Sequence, residues 1–254
     1  MDTLLAFYQN IGPALSLLVV VTFILAGTVK GVIGLGLPTV AMGLLGLAMP
    51  PAQAAALLIV PSTLTNLWQL AAGRHLLVLL RRLGPTLAAI FVGTLVGSAW
   101  LGINSGLWAA HALGAALLVY AAYGLLGPGL RLAPGREGWL GPLCGLLTGL
   151  VTAVTGVFVM PAVPYLQSLG LSRDELIQAL GLSFTVSTVA LALGLAGQDA
   201  LGSQALGASL LMLAPALLGM LAGQWLRQRI SAALFKRCFF IGMAVLGGHL
   251  LING

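Results

Sequence analysis

Charge is what this sequence has least of. Asp, Glu, Lys and Arg supply 6% of its 254 residues, against roughly a quarter in a soluble domain, and no polar stretch is long enough to form such a domain. The acids number five, Asp2, Glu137, Asp174, Glu175 and Asp199, each at an end of an apolar segment or in a loop. A cation transporter is expected to hold a carboxylate inside the membrane, so their placement argues against one. The two cysteines, Cys144 and Cys238, lie in apolar runs and are expected to be small buried hydrophobes, not a disulfide. There is no Cys/His cluster at metal-ligand spacing, no His-Glu-x-x-His and no Gly-rich loop ending in Lys-Ser/Thr, so the parts of a metalloprotease or an ATPase are missing. Gly34-x-Gly36 follows no strand and is not a dinucleotide fingerprint. No nucleophile stands with a base, so an enzyme is not expected, nor is a cofactor. The amino terminus has no basic region ahead of its apolar run, and no cleaved signal peptide is expected.

What is present is apolar: 59% of the residues, with a mean hydropathy of +1.08. This composition predicts an all-α polytopic membrane protein whose solvent is the lipid bilayer. The net charge of +6 does not imply nucleic acid. The cations sit mainly in short loops beside the spans, as in cytoplasmic loops.

The first apolar segment, about Leu15 to Met49, is roughly twice the ~20 residues a helix needs to cross a bilayer. Within it, Gly27-Thr-Val-Lys-Gly-Val-Ile-Gly-Leu-Gly-Leu-Pro38 weakens the helix at Gly31, Gly34 and Gly36 and removes a backbone donor at Pro38. A helix, an unwound turn and a second helix starting near Pro38 is the economical solution. Further spans are predicted from Pro51 to about Ala72, Leu83 to Leu101 and Leu107 to Leu126, with Arg74, His75, Arg81 and Arg82 in a loop and Ile103-Asn104-Ser105 as a tight turn. The hydrophilic connection through Arg131 and Arg136 is the midpoint. The pattern then restarts at Trp139, is interrupted at Thr155-Gly156 and Pro161, and resumes after Ser172 with acids in the first turn, an N-cap signature. That span reaches about Ala196, and two more follow, about Ala205 to Leu226 and Ala232 to Ile252.

Shifting the chain by 123 positions lays Pro38 on Pro161, Ser62 on Thr185 and Thr65 on Thr188; shifting by 126 lays Gly93 on Gly219 and Gly97 on Gly223. An internal repeat is expected, each half a broken or re-entrant helix pair followed by three transmembrane helices: residues 1–127, a cytoplasmic connection 128–137, and residues 138–254. Cations occupy the loop after the second long segment in the first half but the following loop (Arg227, Arg229, Lys236, Arg237) in the second. If cations mark the cytoplasmic side, the repeats are inverted, as in secondary transporters with sites between repeats near the midplane.

Lys30 is a cation inside a membrane segment, a functional candidate by default; as an interfacial anchor it would instead snorkel to water. The helices starting near Pro38 and Pro161 aim backbone donors and positive dipole ends at one cavity, which favours an anion. Ser62, Thr65, Asn66 and Gln69 share one helical face; the second half offers Ser183, Thr185, Ser187 and Thr188 on the matching span, and Thr155 and Gly156 at its break. These hydroxyls and amides either donate to a small oxyanion or bridge packed helices.

Lys30-Gly31-Val32-Ile33-Gly34-Leu35-Gly36-Leu37-Pro38, Pro61-Ser62-Thr63 and Thr155-Gly156-Val157-Phe158-Val159-Met160-Pro161 resemble the sulfite exporter TauE/SafE family of membrane permeases, over nearly the whole chain. Members typically carry adjacent glycines before the proline, whereas here Leu35 intervenes and the second half keeps only Gly156. The resemblance implies transport of sulfite, sulfonates or related organic anions, directed outward, and a bacterial inner membrane. The expected site comprises Lys30, Gly34, Gly36, Pro38, Ser62, Thr65, Asn66, Thr155, Gly156, Pro161 and Thr185, with a small anion as substrate, a proton or sodium as coupling ion and a homodimer as the candidate assembly. A passive anion channel and a non-transporting assembly or sensor subunit are the alternatives.

Overall fold

The computed structural model describes residues 2–71, 73–101, 107–127, 129, 131–133 and 135–253. Twelve helices lie among them: α1 (Asp2–Ile11), α2 (Pro13–Ile33), α3 (Leu37–Leu45), α4 (Pro51–Ala71), α5 (Leu76–Trp100), α6 (Leu107–Leu126), α7 (Glu137–Thr155), α8 (Ala162–Ser168), α9 (Arg173–Ala196), α10 (Ser203–Leu211), α11 (Leu213–Arg227) and α12 (Ala232–Asn253). Eight stretches are long and apolar enough to cross a membrane, with α10 and α11 together forming one of them. The all-helical membrane fold is therefore as the composition predicts. At 1.5 Å per residue, α3 and α8 reach only about 14 and 10 Å, too short to cross.

Both breaks fall where glycine and proline interrupt the chain. Gly34 closes α2 in the left-handed region (φ 78°), its N–H donating to Lys30 O, and Gly36 opens α3 at φ 106°. A side chain would strain either position. Gly156 closes α7 in the same way (φ 68°), and the chain then runs without regular structure through Val157, Phe158 and Val159, all buried. Ser172 forms the expected cap, a reciprocal box with Glu175.

Several boundaries differ from expectation. Arg81 and Arg82 belong to α5, not to a loop, because Leu76–Leu80 already supply apolar turns and arginine is a good helix former. Pro215 leaves Leu211 O without its usual i+4 donor, and the span expected from Ala205 to Leu226 divides at Met212. Helix α1 precedes the expected first span, its Tyr8 hydroxyl donating to Ala208 O at 2.8 Å. Cys238 is exposed rather than buried; on an apolar helix facing lipid, burial by protein is not required. The Ile103-Asn104-Ser105 turn and Pro128 lie outside the described residues.

The principal helix pairs are α2 with α11, α5 with α7, α4 with α9 and α6 with α12. Exchanging the two halves, α2 for α7, α4 for α9, α5 for α10–α11 and α6 for α12, leaves this set unchanged. Glycines make the closest pairs. Gly219 and Gly223 of α11 press on Ile24 O and Thr28 O of α2, while Gly27 and Gly31 of α2 press on Ala216 O and Met220 O. In the matching seam between the halves, Gly93 and Gly97 of α5 meet Leu146 and Ala153 of α7, and Gly145 and Gly149 meet Thr86 O and Ile90 O. Small residues let membrane helices approach to backbone contact, where dispersion replaces the missing hydrophobic drive.

The side chains also give the bundle a bilayer frame. Of eleven Lys and Arg, all but Lys30 gather at one end: Arg74, Arg81 and Arg82, Arg131 and Arg136, Arg173, Arg227 and Arg229, Lys236 and Arg237. Contacts across loops hold that end together: Gln178 caps α4 by donating to Leu70 O and accepting from His75 N (both 2.8 Å), and Leu132 N donates to Ser168 O at 2.9 Å. All five tryptophans are exposed within three residues of a helix end, Trp68, Trp139 and Trp225 at the cationic end and Trp100 and Trp108 at the other. Interfacial belts have this composition. Between Arg82 and Trp100, α5 rises about 27 Å, close to the ~30 Å of a hydrocarbon core.

Candidate functional site

Helices α4 and α9 are the most buried of the eight spans, and the site is built on them. Pro61 sits inside α4 and deprives Leu57 O of its i+4 donor. Ser209 of α10 repairs the gap, its hydroxyl donating to Leu57 O at 2.8 Å and accepting from Val60 N at 3.0 Å. One turn later, Thr65 Oγ1 donates to Pro61 O at 2.7 Å, which leaves its lone pairs for another donor.

That donor is Lys30, a residue only 5% exposed. Its Nζ donates to Thr65 Oγ1 at 3.0 Å and to Asn66 Oδ1. Asn66 then uses Nδ2 to donate to Thr188 Oγ1 of α9 at 3.3 Å, and Thr188 donates to Phe184 O at 2.7 Å. The chain Lys30, Asn66, Thr188 therefore crosses from one half to the other. Every partner of the ammonium is neutral: among the described residues the one salt bridge is Arg82–Glu137, at the cationic end. Gln69 Nε2 donates to Gly34 O at 3.1 Å and ties the first break to the same helix face. Gln69 Oε1, Ser62 Oγ, Ser183 Oγ and Ser187 Oγ are buried without a partner.

A cavity of about 230 Å³ opens beside Lys30, bordered by Gly34, Thr65, Trp68, Gln69 and Arg227. Its lining carries two cationic side chains, Lys30 and Arg227, and no acid. Lys30 stands three residues from the end of α2 and Asn66 five from the end of α4, so the cluster lies about 5–8 Å from the cationic helix ends. It is displaced from the midplane toward that end, on the level of Trp68.

The structure thus brings together Lys30, Thr65 and Asn66, with Gly34 joined through Gln69. Ser62 and Pro38 are buried on α4 and α3 and do not border the cavity. The second-half residues stand apart. Thr155 Oγ1 donates to Val151 O at 2.7 Å and accepts from Val157 N at 3.1 Å, stitching the second break. Gly156 packs against Met42 of α3, with Met42 Cε 3.0 Å from where a Cβ would lie. Pro161 follows a cis peptide bond and precedes α8. Thr185 is half-buried and donates to Gly181 O at 2.7 Å. Thr188, Gln69 and Arg227 also border the cluster; Thr188 and Gln69 are among the hydroxyls and amides that the sequence offers but stand outside the expected site, and Arg227 is expected only as a loop cation. Thr188 is visible in the sequence as the match of Thr65, but nothing local distinguishes it from a threonine that bonds its own helix.

The family model described as Sulfite exporter TauE/SafE matches residues 19–250, which contain both breaks and the Lys30 cluster. The chain belongs to the sulfite exporter TauE/SafE family. It is therefore a multi-pass membrane protein of a permease family, and that family consists of transporters. No curated protein and no solved structure matches the chain.

Proposed function

We propose that this TauE/SafE protein is a secondary exporter of small anions, sulfite, sulfonates or related organic anions, in a bacterial inner membrane. The observation that carries this reading is Lys30: a buried ammonium in a spanning helix, held by neutral Thr65 and Asn66, with a cavity at its side. Burying a charge without a counter-charge is expensive, and an anion in the cavity supplies the missing partner. Gln69 and Arg227, which border the same cavity, complete its hydrogen bonds.

Alternating access follows from the repeats, which we take as inverted: residues 1–127 and 138–254 around the connection 128–137. Two features support this. The pairing of helices survives exchange of the halves, and α2 runs toward the cationic end whereas its counterpart α7 starts there. By the distribution of cations that end is cytoplasmic. The anion travels with a proton or sodium ion, and the second break, with Thr155, Gly156, Pro161 and Thr185, forms the far wall against which the first half moves.

Uptake of radiolabelled sulfite and sulfoacetate into proteoliposomes, with a neutral solute as control, tests the reading. Saturable, anion-selective flux with counterflow supports a carrier; flux without saturation indicates a channel; no flux under any ion gradient rejects the assignment.

A further inference from the structure

A second and larger cavity, about 380 Å³, adjoins the first and shares Gly34, Ile177 and Arg227 with it. It is bordered at the cationic end by Gly127, Arg173 and Lys236. Its charged lining is wholly positive: Arg173, Arg227 and Lys236. Among the described residues, none of the three is in a salt bridge. Asp174 and Glu175, which follow Arg173 in the chain, do not border the cavity, and Glu175 is held by the Ser172 hydroxyl at 2.7 Å. Arg173 also stands in the opening turn of α9, where the helix dipole disfavours a cation and welcomes an anion. Three cations without a salt-bridge partner among the described residues and the N-terminus of α9 converge on one concave space. Such a lining focuses positive potential and raises the local concentration of anions.

We propose that this cavity is a second anion-binding site, a vestibule on the cationic side. In it Arg173, Arg227 and Lys236 capture a small soluble oxyanion and deliver it past Gly34 to Lys30. The proposal rests on the Lys30 reading for its direction but not for its binding. Arg227 borders both cavities and is the point of transfer. The outer space lies within the range of ordinary ligand pockets, about 300–1,000 Å³. The inner one falls below it, so the anion is selected by size after it has been attracted by charge.

Two experiments separate the vestibule from the transport reading. In phosphatidylcholine proteoliposomes, Arg173→Gln/Lys236→Gln is expected to raise the KM for sulfite about tenfold, change kcat by less than about twofold and flatten the dependence of KM on salt. A monodisperse elution profile of Arg173→Gln/Lys236→Gln, with the KM brought back toward wild type in the charge-conserving Arg173→Lys/Lys236→Arg, shows that lost charge and not misfolding is responsible. The second is calorimetric titration of purified protein with sulfite. Lys30→Ala should retain a weak, salt-sensitive binding event that vanishes in Arg173→Gln/Arg227→Gln/Lys236→Gln. An unchanged KM and salt dependence in the double variant, or sulfite binding indifferent to the triple substitution, overturns the vestibule whatever Lys30 does. So does loss of anionic-phospholipid binding alone in nanodiscs with sulfite binding intact, which would make the cavity a lipid headgroup site.

Discussion

Asn66 Nδ2 donates to Thr188 Oγ1 at 3.3 Å, and this contact joins the Lys30 cluster of the first half to the second. Asn66 is thereby oriented: its oxygen is left facing the ammonium and its nitrogen faces α9. An isosteric carboxylate in the same place would be an internal counterion. Asn66→Asp is expected to abolish anion flux while leaving the melting temperature equal or higher, because the new pair satisfies Lys30 without substrate. Flux and thermal stability measured on the same preparation check this. Full flux in the Asn66→Asp variant would separate the lysine from anion binding.

Thr188→Val retains shape but removes the acceptor for Asn66. With one amide hydrogen bond lost in a buried site, about 1–2 kcal/mol, Asn66 is free to turn, and the KM is expected to rise about tenfold with kcat less affected. Concentration series in proteoliposomes provide the comparison. Thr185→Val, whose hydroxyl bonds its own helix, serves as a matched control with a smaller effect.

Ser209 replaces the donor that Pro61 lacks. Ser209→Ala leaves Leu57 O unpaired in an apolar surround and is expected to lower stability by about 1–3 kcal/mol, seen as an earlier transition in a detergent melt. In Ser209→Ala/Pro61→Ala the helix regains its own donor, and most of the loss should be recovered. Additive destabilisation in the double variant would contradict the repair.

The α2–α11 seam offers a test of packing. Gly223 presses on Thr28 O, whereas Gly242 of α12 has open space around it. Gly223→Leu is expected to destabilise by about 1–3 kcal/mol or more through overpacking, and Gly242→Leu to be neutral. Thermal scans of both variants decide this. Comparable melting temperatures would mean that the seam opens without penalty.

The parts of the fold visible in the sequence are those set by local chemistry. Glycines with proline force the breaks at Gly34–Gly36 and Gly156, apolar length fixes the spans, and Ser172 with Glu175 marks the start of α9. Lys30 stands out because a charge in an apolar segment needs a reason. What escapes depends on partners distant in the chain. The repair of Pro61 by Ser209, the Asn66–Thr188 link and the capping of α4 by Gln178 join residues more than a hundred positions apart. The arginines of α5 read as a loop because a charge pair resembles a boundary, although arginine stems lie comfortably along a helix leaving a membrane. Inverted repeats suggest a site at the midplane. The cluster instead follows the end of α2, where Gly34 stops the helix near the cationic surface.

The central claim is that the buried ammonium of Lys30 holds the transported anion. It is tested most directly by saturable sulfite flux in proteoliposomes of wild type, Lys30→Ala and Lys30→Arg, each monodisperse in detergent. Loss of flux in Lys30→Ala, with partial activity at a raised KM in Lys30→Arg, is the predicted result. Undiminished flux in Lys30→Ala would contradict the account and make the lysine a structural link between α2 and α4.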